Sequence, residues 1–193
     1  AVAEVALGYT HTCARKTDGT LWCWGRNVYG QLGSGTTIDK RTPVQVGVST
    51  LGNAVAEVAL GCSHTCARKT DGTLWCWGLN SLGQLGNGTP TINNVTPVQA
   101  GASTLGSAVA EVALGCSHGC ARKTDGTLWC WGGNAYAQLG DSTTINKTTP
   151  MQIGASTLDT QRMPVRWAMS GPGMVSGCVN NRSAPRAAAS KSS

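Results

Sequence analysis

The chain has 193 residues with 26 glycines, seven tryptophans and no phenylalanine, and only 12% of its residues are charged. This argues against a solvated, disordered polymer and for many short strands joined by tight turns. The formal net charge of +6 does not mark a duplex-binding protein: residues 1–158 contribute only +2, while residues 159–193 hold five basic side chains against one acidic, so the body of the chain has no basic stripe.

In chain order, AVAEVALG (1–8) sets Val5 and Leu7 against Glu4 and Ala6, the period of a half-buried strand. HTCARK and TLWCWG follow, separated by Thr17-Asp18-Gly19. An Asp-Gly turn suits a two-residue loop, or a three-residue loop with glycine in the left-handed bulge position. NVYGQLGSGT (27–36) is a glycine-rich connection, and TPVQVG (42–47) reads as a fourth strand with Pro43 at its start or on an edge.

This unit returns. GYTHTCARKTDGTLWCWG at residues 8–25 becomes GCSHTCARKTDGTLWCWG at 61–78 and GCSHGCARKTDGTLWCWG at 115–132. Glu4, Glu57 and Glu111 correspond, at intervals of 53 and 54 residues. A period near fifty is the signature of stacked units that cannot bury their apolar faces alone. The expected units are 1–53, 54–107 and 108–158, with a divergent basic tail, 159–193, expected to be disordered and to form no fourth unit. The third copy has drifted: Gly30 and Gly83 correspond to Ala137, and Gly35 and Gly88 to Ser142. Without an initiator Met or signal peptide, the sequence reads as a processed or partial chain, or a remnant of a longer one. No apolar run approaches the roughly 20 residues of a membrane span.

Four short strands per unit is a propeller blade. The run G-x-x-H-T-C-A-x-x-x-D-G-T-L-W-C-W-G-x-N-x-x-G-Q-L-G-x-G-T, followed by T-P-V-Q, resembles the regulator of chromosome condensation repeat over residues 1–158. The resemblance implies an all-β propeller, here three tandem four-stranded blades forming an incomplete, open ring, since closed rings ordinarily have about four to eight blades. The cysteine-bearing variant is similar to secreted or surface-attached bacterial members. Family members include a nucleotide-exchange factor for a small GTPase, an ultraviolet photoreceptor and secreted inhibitors, so fold alone fixes no function. The photoreceptor's tryptophan and arginine cluster has no matching motif here.

Three cysteine pairs flank the Thr-Asp-Gly turns: Cys13 and Cys23, Cys66 and Cys76, Cys120 and Cys130. With a three-residue loop the members of each pair fall directly opposite and can bridge; with a two-residue loop they point to opposite faces. Intra-blade disulfides are the expected state, which implies an oxidising compartment, secreted or at the cell surface. Buried free thiols are one alternative. Zinc is another, because Cys62, His64 and Cys66, or Cys116, His118 and Cys120, can converge on one face; Tyr9 at the corresponding place in the first copy weighs against it, and no metal or other cofactor is expected. Cys62 and Cys116 can instead bridge neighbouring blades, and Cys178 is the odd one of nine.

Histidine beside cysteine also suggests a nucleophile with its base. Three identical copies argue against catalysis, so no catalytic residue is expected. His11, His64 and His118 are expected to hydrogen-bond between strands within a blade. Trp22, Trp24, Trp75, Trp77, Trp129 and Trp131 are expected to pack between blades, and Asp18, Gly19, Asp71, Gly72, Asp125 and Gly126 to build the turns. Asn87, Asn94, Asn146 and Asn181 open glycosylation sequons, read as loop residues.

Variable positions follow a constant WCWG: Arg26, Leu79 and Gly133, then Val28-Tyr29, Ser81-Leu82 and Ala135-Tyr136. A constant frame with changing loops is how repeat scaffolds present a recognition face. Candidate binding residues are therefore Arg26, Tyr29, Leu79, Leu82 and Tyr136. The expected function is an extracytoplasmic module binding a protein or surface ligand, with no nucleic acid; guanine-nucleotide exchange and a purely structural surface role are the alternatives. Three blades leave two apolar end faces, and a homodimer closing a six-blade ring is expected if the chain is whole.

Overall fold

The computed structural model describes residues 1–89 and 92–154; the expectations for residues 159–193, and for Cys178 and Asn181 within them, lie outside the described residues. Twelve strands make three four-stranded antiparallel sheets, each in simple sequential order. The first holds β1 (Val2–Leu7), β2 (His11–Lys16), β3 (Leu21–Gly25) and β4 (Lys40–Val46). The second holds β5 (Val55–Leu60), β6 (His64–Lys69), β7 (Leu74–Gly78) and β8 (Asn94–Gln99). The third holds β9 (Val109–Leu114), β10 (His118–Lys123), β11 (Leu128–Gly132) and β12 (Lys147–Ile153). Each sheet is one propeller blade, and the three form an open arc. The first two strands of each blade meet the first strand of the next, which puts β1, β5 and β9 on the inside of the arc and β4, β8 and β12 on its rim.

The hairpin turn sets the register of each blade. Lys16 N donates to Thr20 O at 2.9 Å, and Gly19, at φ 81°, donates to Lys16 O at 3.0 Å. This is a three-residue loop with the glycine bulge, and it puts Cys13 directly opposite Cys23. Asp18 Oδ1 accepts from the Thr20 amide and hydroxyl, Thr20 Oγ1 accepts from Trp22 Nε1, and Lys16 lies over the Trp22 ring. The Thr20 hydrogen bonds hold the Asp18 carboxyl well below the usual carboxylate range. The other two turns repeat the arrangement.

Alternation along the strands gives every blade two apolar faces. One carries the cysteines with Leu21 and Val46; the other carries Ala14 and the tryptophans with Val5 and Leu7. The cysteine face of blade 1 packs on the tryptophan face of blade 2, where Val55, Val58, Leu60, Ala67 and Trp77 are buried. The cysteine face of blade 2 packs likewise on Val109, Val112, Leu114, Ala121 and Trp131 of blade 3. The alternation expected for the first strand of blade 1 is present, with Ala6 on the covered face and Val5 and Leu7 on the open one. Val2, Val5 and Leu7 are 60%, 57% and 56% exposed, because among the described residues no blade covers that face.

A candidate partner-binding face

The β1–β2 turn and the long β3–β4 loop of each blade lie at the same end of the arc. Arg26 N donates to Thr10 O, Leu79 N to Ser63 O and Gly133 N to Ser117 O, at 2.8–3.0 Å. The Thr-Asp-Gly turns lie at the other end, where Val55 N donates to Gly19 O and Val109 N to Gly72 O.

One buried asparagine organises each β3–β4 loop. Asn27 Nδ2 donates to the carbonyls of Thr36 and Ile38, and Asn27 Oδ1 accepts from Leu32 N at 2.9 Å. Asn80 and Asn134 do the same for Leu85 and Leu139. Gln31, Gln84 and Gln138 each accept, through Oε1, from the amide two residues earlier. These asparagines and glutamines were not among the residues expected to matter. Their recurrence in all three copies at fixed distance from WCWG was the available signal.

This frame exposes side chains that differ between copies. Arg26, Val28, Leu82, Ala135 and Tyr136 are exposed, and Tyr136 is 79% so. Tyr29 and Leu79 are half-buried, so their contribution is the edge of the ring or the aliphatic side chain, not its whole surface. Tyr9, 64% exposed in the β1–β2 turn, belongs to the same end although it was not singled out for binding. Charge there gathers on blade 1, where Lys40 and the exposed Arg41 open β4 opposite Gly25 and beside Arg26, while on blade 3 Lys147 pairs with Asp141. The carboxylate of Asp39 is engaged by Asn27 N at 2.7 Å, and the matching places in the other loops are the amides of Asn93 and Asn146. The exposed aromatic and apolar side chains of this end suit protein recognition.

The cysteines are all engaged among the described residues. Disulfides join Cys13 to Cys23, Cys66 to Cys76 and Cys120 to Cys130, each with Cα atoms 4.1 Å apart. A fourth joins Cys62 to Cys116 across blades 2 and 3. The sulfurs that a zinc site or a thiolate nucleophile would use are therefore bonded to each other. Among the described residues no group of three or more His, Cys, Asp or Glu side chains is placed to hold a metal ion.

The histidines correct an expectation. His11 Nε2 lies 2.8 Å from Thr65 Oγ1 of the next blade, so its bond runs between blades and not within one. Thr65 Oγ1 gives its proton to Gln31 O at 2.9 Å, and Trp77 Nε1 donates to the same carbonyl at 3.0 Å. Nε2 of His11 must then be the donor to Thr65. Burial drives the His11 pKa down to about 4 and, with the neighbouring histidines, that of His64 to about 3; burial also lowers His118. His64 is fully buried and neither ring nitrogen has a partner, because Gly119 stands where Thr65 stands one blade earlier. Of the tryptophans, Trp77 and Trp131 are sealed between blades, whereas Trp22, Trp24, Trp75 and Trp129 are half-buried.

The Regulator of chromosome condensation (RCC1) repeat is matched over residues 18–68, 71–122 and 125–173, and in a second phase over 2–31, 55–84 and 109–138. The chain belongs to this repeat family. Its RCC1 repeats are 34% identical over 152 residues to the ultraviolet-B receptor UVR8 of Arabidopsis thaliana, covering 79% of this chain and 34% of that protein. They are 32% identical over 152 residues to the probable E3 ubiquitin-protein ligase HERC4 of Homo sapiens, covering 79% of this chain and 14% of the ligase. The chain thus spans about a third of the receptor and a smaller part of the ligase. Among solved structures it resembles human WBSCR16, with a TM-score of 0.69 and 26% identity over 79% of this chain and 39% of that one. It also resembles Prp20p of Saccharomyces cerevisiae, with a TM-score of 0.70 and 22% identity over 80% and 39%. The latter likeness is one of fold.

Proposed function

We propose that this RCC1-repeat chain is a non-catalytic module, secreted or displayed at a cell surface, that binds a protein or surface ligand through the loop end of its arc. The observation that carries the reading is the contrast within that end. The same asparagine frame recurs in each blade, while the side chains it exposes change from Arg26, Val28 and Tyr29 to Leu79, Ser81 and Leu82 and then to Ala135 and Tyr136. Packing explains the constant residues; it does not require Tyr136 to stand in solvent. Prp20p, similar in fold, has binding properties to Gsp1p and histones, so protein recognition is within the reach of this architecture. Four disulfides in the described residues support an oxidising compartment. The units 1–53, 54–107 and 108–158 are part of the same proposal.

Capture from an extracellular extract tests it. Wild-type chain should retain a partner that the triple variant Arg26→Glu, Leu82→Asp, Tyr136→Ser loses, with the fold unchanged by circular dichroism. Equal capture by both would overturn the loop reading. Accelerated nucleotide release from a small GTPase would instead establish the exchange-factor alternative, and absence of any captured partner would favour a structural surface role.

A further inference from the structure

We propose that the Cys62–Cys116 bridge is a thiol-exchange site, opened by a low-molecular-weight thiol such as glutathione, and that its opening frees the loops of blades 2 and 3 from each other. This goes beyond the loop-end reading and stands whether or not that end binds a partner.

Access separates this bridge from the other three. Cys13, Cys23, Cys66 and Cys76 are 0% exposed, Cys120 is 7% and Cys130 is 2%. Cys116 is exposed and Cys62 is only half-buried, although Cys62 belongs to blade 2 and has a blade on either side. Exchange requires a thiolate to reach a disulfide sulfur, so exposed bridges are the labile ones. The hairpin bridges are buried and closed to it.

The chemistry needs only the thiol. A thiolate attacks Sγ of Cys116, and a new S–S bond forms as the Cys62–Cys116 bond breaks. The electron pair leaves on Sγ of Cys62, which takes a proton from solvent. A second thiolate attacks the outer sulfur of the mixed disulfide and releases the small-molecule disulfide, leaving Cys116 as a thiolate. Two thiols are oxidised and one protein bridge is reduced.

The bridged turns carry the loops. Ser63 and Ser117 stand next to the two cysteines, and their carbonyls accept from Leu79 N and Gly133 N at 2.9 and 2.8 Å. These bonds hang the loops of blades 2 and 3 on the two bridged turns. The loops also meet, since a Cβ at Gly133 would lie 3.1 Å from Leu82 Cδ1.

The two seams are tied differently at this level. Both keep a tryptophan donor to a glutamine carbonyl, Trp77 to Gln31 and Trp131 to Gln84. Between blades 1 and 2, His11 and Thr65 add a second path to that carbonyl, and Tyr9 stands where the other copies have cysteine. Between blades 2 and 3, Gly119 has no hydroxyl, and neither nitrogen of the buried His64 has a partner. The disulfide stands in for the missing hydrogen bonds, so its reduction leaves the second seam with neither tie.

To test this, the oxidised full chain, its free thiols blocked, is treated with rising concentrations of reduced glutathione, quenched with a second alkylating agent and mapped by mass spectrometry. Cys62 and Cys116 should be labelled about tenfold or more faster than the six hairpin cysteines, with a glutathione adduct trapped on this pair. In amide hydrogen exchange, reduction should speed the Leu79 and Gly133 amides by about tenfold. The Arg26 amide, bonded to Thr10 O in blade 1, should keep its rate. Cys62→Ser with Cys116→Ser should give the same exchange pattern without any thiol. Reduction of a hairpin bridge before or together with Cys62–Cys116 would overturn the exchange site. Leu79 and Gly133 amides no faster in the reduced chain or the double variant than in the oxidised chain would overturn the release of the loops.

Discussion

Across the seam between blades 1 and 2, the ring of His11 and the hydroxyl of Thr65 are 2.8 Å apart, in a site where both side chains are buried. The bond links residues 54 positions apart. Thr65→Ala removes the acceptor of His11 and one donor to Gln31 O. A buried donor left unsatisfied costs about 1–3 kcal/mol, and urea denaturation should show a loss of that size. One blade further on, the same change has no bond to remove. At Gly119 a Cβ would come 2.8–3.0 Å from Leu114 and Trp131, so Gly119→Ala should destabilise by overpacking, by about 1–3 kcal/mol.

The buried histidines make stability depend on pH. Their ordinary pKa of 6.5 falls to about 4 for His11 and about 3 for His64 in the folded chain. Between these values the unfolded chain binds protons that the folded chain does not, so stability rises with pH. It should be complete above pH 6.5 and decline as pH falls toward 4 and then 3. At about 1.4 kcal/mol per pKa unit, His11 alone accounts for a loss on the order of 3 kcal/mol. Thermal melts of wild type and His11→Gln between pH 7 and 4 should converge at the acid end; parallel curves would show that His11 is not the titrating group.

Identical substitutions should have unequal effects in different blades. Leu60 is buried between blades, and Leu7, its counterpart, is mostly exposed. Leu60→Ala should cost about 2–5 kcal/mol, while Leu7→Ala should change monomer stability by no more than about 0.5 kcal/mol. Urea denaturation of the two variants beside wild type compares them.

The disulfides should differ in weight. Each hairpin bridge spans 10 positions, whereas Cys62–Cys116 spans 54. Chain entropy then suggests about 3 kcal/mol for a hairpin bridge and about 4 kcal/mol for the cross-blade one. Cys62→Ser with Cys116→Ser should therefore lower stability more than Cys13→Ser with Cys23→Ser. Protease cleavage should also increase first at the blade 2–3 seam, where His64 has no hydrogen-bond partner.

Hairpins and strand faces were legible in the sequence because their determinants are local. Asp18-Gly19 marks the turn but allows two loop lengths; the three-residue loop the structure adopts sets Cys13 opposite Cys23, and alternation assigns Trp22 and Trp24 to the other face. Seams between blades were legible only as an inference from repetition. The His11–Thr65 bond escaped because its partners are a full repeat apart, and nothing near His11 distinguishes an intra-blade acceptor from the next blade's threonine. Asn27 was visible as a repeated letter, but its role depends on how residues 28–38 fold back around it. The exposure of Val5 and Leu7 could not be read from a pattern that is the same in all three copies, since burial there is decided by the neighbour and not by the strand.

The seam between blades is built almost wholly from residues that every copy carries. At the level of the gene, an unequal crossover displaced by one period would therefore insert or delete a blade whose two sides already match their new neighbours. Length could change in a single step without any compensating substitution. Only the individual departures resist such exchange: the Cys62–Cys116 link, which needs its two blades adjacent, and Gly119, to which Leu114 and Trp131 have closed.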